Sequence, residues 1–134
     1  MAPHPVLIAG RWRPARASGV FRAEDPARGE ALPGEYPVSE WADCDAALDA
    51  ATEAAAVLRA TPPDQLARFL EAFAGRIEAR KAELVDMAHA ETGLPRQPRL
   101  ADVELPRTTG QLRQGAAAAL EGSWALPTLD TKLN

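Results

Sequence analysis

A chain of 134 residues with 46% hydrophobic and 25% charged side chains belongs with globular proteins, and its length fits one domain with a core of useful size. A formal net charge of −4 argues against a nucleic-acid-binding surface, and no apolar run approaches the ~18 residues that a membrane span requires. One cysteine, Cys44, excludes an intramolecular disulfide; with no secretion signal in MAPHPVLIAGRW, a soluble cytoplasmic protein is expected.

The first elements are short. Residues 6–12, VLIAGRW, read as a strand and a turn. Val20–Ala23 form a second run that ends at Asp25-Pro26, followed by a turn over 27–30. Leu32–Pro37 suit a third strand, which Pro33 and Pro37 confine to an edge. A small antiparallel unit over 6–37 is therefore expected, too slight to stand without a partner.

Three long helices follow. Ser39 is placed to cap the first, over 39–59, with an inward row of Trp41, Cys44, Leu48, Ala51, Ala55 and Leu58. Glu40, Asp43 and Asp45 near its start and Arg59 at its end suit the helix dipole. Thr61 is placed to cap the second, over 62–91, with Pro62 at its first position. Its row is Leu66, Phe69, Leu70, Phe73, Ile77, Leu84 and Ala88, and Gly93 with Pro95 ends it. Unbroken, it would run roughly 45 Å, so a break is expected near Arg80–Lys81, where the apolar row lapses. The third helix, over 98–121, carries Leu100, Val103, Leu105, Thr109, Leu112, Ala116 and Leu120. Pro106 either starts its main part or kinks it, and Gly122-Ser123 stops it. The tail WALPTLDTKLN has no capping or periodic logic. The fold class expected is mainly α with a small N-terminal strand unit. Alanine is abundant and only three Phe, three Trp and one Tyr are present, so much apolar surface is expected to meet something outside the chain.

IAGRW (8–12), the Asp25-Pro26 turn, DCDAALDAA (43–51), LARFLEAFAGRIEARKAELVDMAHA (66–90) and AETGLP (90–95) occur in an order that resembles the N-terminal portion of the NAD(P)-dependent aldehyde dehydrogenases. PRTTGQLRQGA (106–116) is most similar to the branch that oxidises α-ketoglutarate semialdehyde (2,5-dioxopentanoate). The resemblance covers essentially the whole chain but only the first quarter or so of such an enzyme. It implies a piece of the α/β aldehyde dehydrogenase fold. The catalytic cysteine, the general-base glutamate and the dinucleotide-binding unit would lie beyond it. NAD or NADP would then serve the full-length family with none bound by this chain, which would be inactive by itself. The implied partners are the remainder of the enzyme or further copies in a homo-oligomer, through an exposed apolar face. The alternative of another class is a non-enzymatic helical interaction or oligomerisation module.

No residue pair here makes a nucleophile with its base. Cys44 lies on the apolar face of the first helix, where cysteine is ordinarily core. His89 sits in the last turn of the second helix, where the dipole favours positive charge, and His4 lies near the terminus. Arg107, Thr108, Gln111 and Arg113 stand out, because the resemblance places their helix at the substrate entrance. A semialdehyde with a terminal carboxylate needs a cation, and arginine offers a two-pronged donor. Arg107 and Gln111 are four apart on one helical face, with Thr108 beside them. The competing expectation is that Arg107 bridges to Glu104 or Asp102, or stands in water.

Overall fold

The computed structural model describes residues 2–125. Its elements are β1 (Val6–Ile8), β2 (Arg11–Arg13), β3 (Ala17–Phe21), β4 (Glu24–Asp25), β5 (Glu30–Ala31), β6 (Tyr36–Ser39), α1 (Trp41–Ala60), α2 (Pro63–Ala79), α3 (Lys81–Thr92), a π-helical segment Arg96–Glu104 and α4 (Leu105–Glu121). Ser123–Ala125 add a short 3-10 turn, and the rest of the tail lies outside the described residues. Where length alone suggests one domain, the contacts divide the chain into two compact units. One is Met1–Ala60 with Asp86–Pro95, and the other is Thr61–Val85 with the chain from Arg96 onward.

In the first unit the strands form three separate two-stranded antiparallel ribbons. β1 and β2 pair Val6 with Arg13 and Ile8 with Arg11 across the two-residue turn Ala9-Gly10. Both turn residues have positive φ, 51° and 73°, as a tight hairpin turn of this length requires. Gly10 takes that conformation freely, whereas Ala9 holds it against the clash of its own Cβ. The third strand lies later than its composition suggested. Pro33 and Gly34 stay outside any ladder, and β6 instead runs from Tyr36 to Ser39, pairing with β3 around a bulge between Ala17 and Gly19. β4 and β5 close on Asp25, whose carboxylate accepts the Ala27 N–H at 2.9 Å.

This placement corrects the helix cap. Ser39 is the last residue of β6, so it does not cap α1. The helix begins at Trp41, and the Glu40 carbonyl accepts the Asp43 N–H at 3.0 Å. Asp43 is the single buried residue of α1, at 2% exposure. Its carboxylate accepts the Arg13 Nη2 at 2.8 Å and the Arg16 N–H at 2.7 Å, which ties the chain around β2 to the first turn of the helix. The expected inward row of α1 is mostly uncovered: Trp41 is 72% and Leu48 60% exposed, while only Cys44 and Ala55 are half-buried. The strands that α1 touches, β1 and β6, are too short to cover a helix of 20 residues.

In the second unit, α2 begins at Pro63 with Pro62 in the cap position, so Thr61 is not the cap and no side chain supplies one. The Pro62 carbonyl receives the Gln65 and Leu66 N–H groups. The break expected near Arg80–Lys81 falls at Arg80, whose φ of −107° and ψ of 19° leave the helical region. Pro106 lies in the first turn of α4, and Glu104 before it is already helical (φ −72°, ψ −43°), so the helical backbone runs on into α4 from the preceding segment. Before it, the π-helical segment contains the extended residue Gln97 (φ −119°, ψ 139°). α2 packs on α4. The buried members of the pair are Ala67 and Ala74 on one side and Thr109 and Ala116 on the other. Leu66, Leu70 and Ile77 flank them half-buried, but Phe69 and Phe73 stack on each other in the open, with ring centroids 6.2 Å apart. The α3 end matches the sequence logic: Gly93 takes φ 69° and its N–H returns to the His89 carbonyl at 2.9 Å.

Asp43→Ala leaves the Arg16 N–H without its acceptor and Arg13 without its anion. A loss of about 2–3 kcal/mol is expected in urea unfolding followed by tryptophan fluorescence, with Asp43→Asn losing less. Ala9→Gly relieves the strained turn and should raise the unfolding free energy by about 0.5–1 kcal/mol on the same measurement.

Candidate functional site

α4 presents two chemically different faces. Toward α2 it turns Thr109, 2% exposed, together with Ala116. Arg113 crosses beside them. Its Nη1 and Nη2 donate to Glu78 Oε1 at 2.6 Å and Oε2 at 2.9 Å, and its Nε lies 3.3 Å from Glu71 Oε2. The two-pronged bond from Arg113, with the Thr109 hydroxyl assisting, holds the Glu78 carboxyl down to about 2, and the Arg113 guanidinium is held correspondingly more firmly protonated. Arg113 is therefore committed within the chain and is not available to an outside anion. Glu78 and Glu71 are seven apart on α2, so they share a face; that spacing was readable in the sequence, but the arginine that joins them was not.

The other face carries Arg107, Thr108 and Gln111, all exposed. Both acids expected to compete for Arg107 are engaged elsewhere: Glu104 receives Arg99 Nη2 at 2.6 Å, and Asp102 lies 3.4 Å from Lys81 Nζ. Among the described residues no ion pair is formed by Arg107. The Thr108 hydroxyl donates to the Glu104 carbonyl at 3.0 Å, so its one proton is already committed. The face thus offers a guanidinium and, one turn on, an amide, both open to solvent.

The remaining chemical side chains stand apart from one another. Cys44 is half-buried on α1. The His89 ring Nδ1 lies 2.7 Å from the Leu94 carbonyl at the end of α3, a capping contact that fixes the turn around Gly93. The His4 ring stacks on Tyr36 with centroids 4.8 Å apart. Among the described residues no group of three or more histidine, cysteine or acidic side chains could hold a metal. No described helix is long and apolar enough to cross a membrane. One open groove of about 630 Å³ lies between the β1–β2 turn and α1, lined by Leu7, Ile8, Ala50, Ala54 and Val57, with Glu53 its charged member.

The model of the aldehyde dehydrogenase family matches residues 12–132. The chain belongs to that family. Alpha-ketoglutaric semialdehyde dehydrogenase 2 of Azospirillum brasilense is 38% identical over 125 residues, covering 92% of this chain and 23% of that protein. Among solved structures, a putative aldehyde dehydrogenase from Burkholderia cenocepacia superposes with a TM-score of 0.78 at 28% identity, covering 88% of this chain and 24% of that one. PnpE, solved in complex with nicotinamide adenine dinucleotide, gives 0.77 at 28% identity with the same coverage. The chain thus spans about a quarter of the length of these relatives, over the N-terminal part of an aldehyde dehydrogenase, and nothing in the comparisons supports the non-enzymatic alternative.

The low pKa of Glu78 carries a pH dependence. A carboxyl that gives up its proton more readily when folded stabilises the fold fully above its ordinary value of 4.5, and that contribution is lost as pH falls toward about 2. Urea midpoints measured between pH 6 and pH 2 should therefore fall less steeply in Glu78→Gln than in the parent chain.

Proposed function

We propose that this chain forms the N-terminal portion of an NAD-dependent aldehyde dehydrogenase that oxidises a carboxylate-bearing semialdehyde of the α-ketoglutarate semialdehyde kind, and that it does not turn over aldehyde by itself. The observation that carries this reading is the family match over residues 12–132 together with 38% identity to a relative named for that substrate. PnpE, solved with NAD, supports NAD as the cofactor of the complete enzyme. The described residues offer a dinucleotide no cradle of their own. α1, α2, α3 and α4 open at Trp41, Pro63, Lys81 and Leu105, and none follows a glycine-rich turn whose amides could reach a pyrophosphate. The cofactor and the hydride chemistry then belong to the remainder of the enzyme.

The part assigned to this chain is recognition and cover. Arg107 offers its guanidinium to the substrate carboxylate, Gln111 adds an amide N–H, and Thr108, tied to the Glu104 carbonyl, shapes the face between them. The exposed side chains of α1 (Trp41, Leu48, Leu58) and of α2 (Phe69, Phe73) are the surfaces that the remainder of the enzyme or another copy in a homo-oligomer would cover. A cytoplasmic location goes with this reading.

In the complete enzyme, Arg107→Ala removes charge-assisted hydrogen bonds worth about 1.5–3 kcal/mol. KM for the carboxylate-bearing aldehyde should rise about 10–150-fold, with an uncharged aldehyde of similar length unaffected. An unaltered KM would remove Arg107 from the site. The 134-residue chain should bind an apolar fluorescent dye and associate with rising concentration, and extension through the downstream coding region should abolish both and confer NAD reduction.

A further inference from the structure

The α2–α4 contact has an unusual weakness. Its fully buried members, Ala67, Ala74, Thr109 and Ala116, are all small. Small side chains allow close approach but make shallow ridges, so one helix sliding a turn along the other, about 5.4 Å, forfeits little interlocking. The larger Leu66, Leu70, Ile77 and Leu112 are only half-buried, and among them Leu70 seats its Cδ1 against Gly115 of α4, 3.4 Å from where a Cβ would stand there. Apolar packing thus draws the helices together, and the Leu70–Gly115 notch opposes a slip with a single half-buried side chain.

The ion network supplies what the packing lacks. Arg113 bridges two carboxylates seven residues apart, Glu71 and Glu78, with a fork fitted to Glu78 and its Nε toward Glu71. A slip of one turn in either direction leaves the guanidinium with at most one of them. We propose that Arg113, Glu78 and Glu71 form a register lock that sets the axial position of α4 on α2, and so the place at which α4 presents Arg107. The role of Arg113 is that of a positioning residue. Specifying register is a well-attested use of polar contacts in apolar helix pairs. The consequence for Arg107 rests on the substrate reading given above; the lock itself does not.

The test reads register directly. In the full chain with Cys44→Ser, spin labels at Ala79→Cys on α2 and Ala118→Cys on α4, both exposed and offset along the helix axis so that a slip changes their separation, report the register by pulsed electron spin resonance, the labelled chain being diluted in unlabelled chain. The parent should give one narrow distribution. Arg113→Leu, which keeps apolar bulk, should add a population displaced by about 5 Å, and Arg113→Lys, with charge but no fork, should recover part of the narrow peak. An unchanged distribution in Arg113→Leu overturns the proposal. If that variant loses helicity, the parent in 1 M salt decides, because the network is open to solvent: broadening supports the lock and an unchanged peak overturns it. Arg107→Ala should leave the distances as they are, so failure of the substrate reading and failure of the lock give different results.

Discussion

The dominant constraint on this chain is how little it can bury. Among the described residues α2 and α4 meet through buried alanine and threonine, and the larger buried side chains are Val85 and Leu100. Close approach of small residues gives a contact that is tight but narrow, and area removed from water governs the main stabilising force. Leu100 and Val85 are buried, but Phe69, Phe73, Leu48 and Leu58, which would normally fill a core, stand outside it. Specific polar contacts then take over tasks usually left to packing. Asp43 ties Arg13 and the Arg16 amide to the first turn of α1, and Arg113 bonds α4 to Glu78 of α2.

That constraint also explains which parts of the structure the sequence disclosed. Apolar spacing found the helical regions, because periodicity survives whether or not the face is covered. The break at Arg80 and the stops at Gly93 and Gly122 were legible because a lapse in the row and a glycine suited to positive φ are local signals. The direction of burial was legible only in part: of the α2 row, Leu66, Leu70 and Ile77 do flank the contact with α4. In α2 the row through Phe69 and Phe73 looked like the inward face, yet the contact surface is the alanine side through Ala67 and Ala74. Periodicity marks an apolar face without saying whether its partner lies in the same chain. The caps misled for a related reason: Ser39 suits a helix start by residue type, but its backbone is engaged in pairing with Ala17.

The candidate site was readable in part. Arg107 and Gln111 share a face by simple spacing, and that face is open. What spacing could not tell was which of two nearby arginines is spoken for. Arg107 and Arg113 look equivalent in PRTTGQLRQGA, and only the meeting of α4 with Glu78, 35 residues earlier, and with Glu71 before that separates them. A long-range ion pair leaves no mark in a local stretch of sequence. Membership of the aldehyde dehydrogenase family rests on the pattern across the whole chain, and no one motif within it would have sufficed.

The buried carboxylate of Asp43 has a consequence for the order in which the first unit assembles. Its two partners, Arg13 and the Arg16 amide, come from 30 and 27 residues away. The opening turn of α1 therefore reaches its final form only after the N-terminal segment has swung back to meet it, while the backbone hydrogen bonds in the middle of the helix close within the helix itself. Ribosomal emergence favours this sequence of events, since the segment that must return is already synthesised when Asp43 appears.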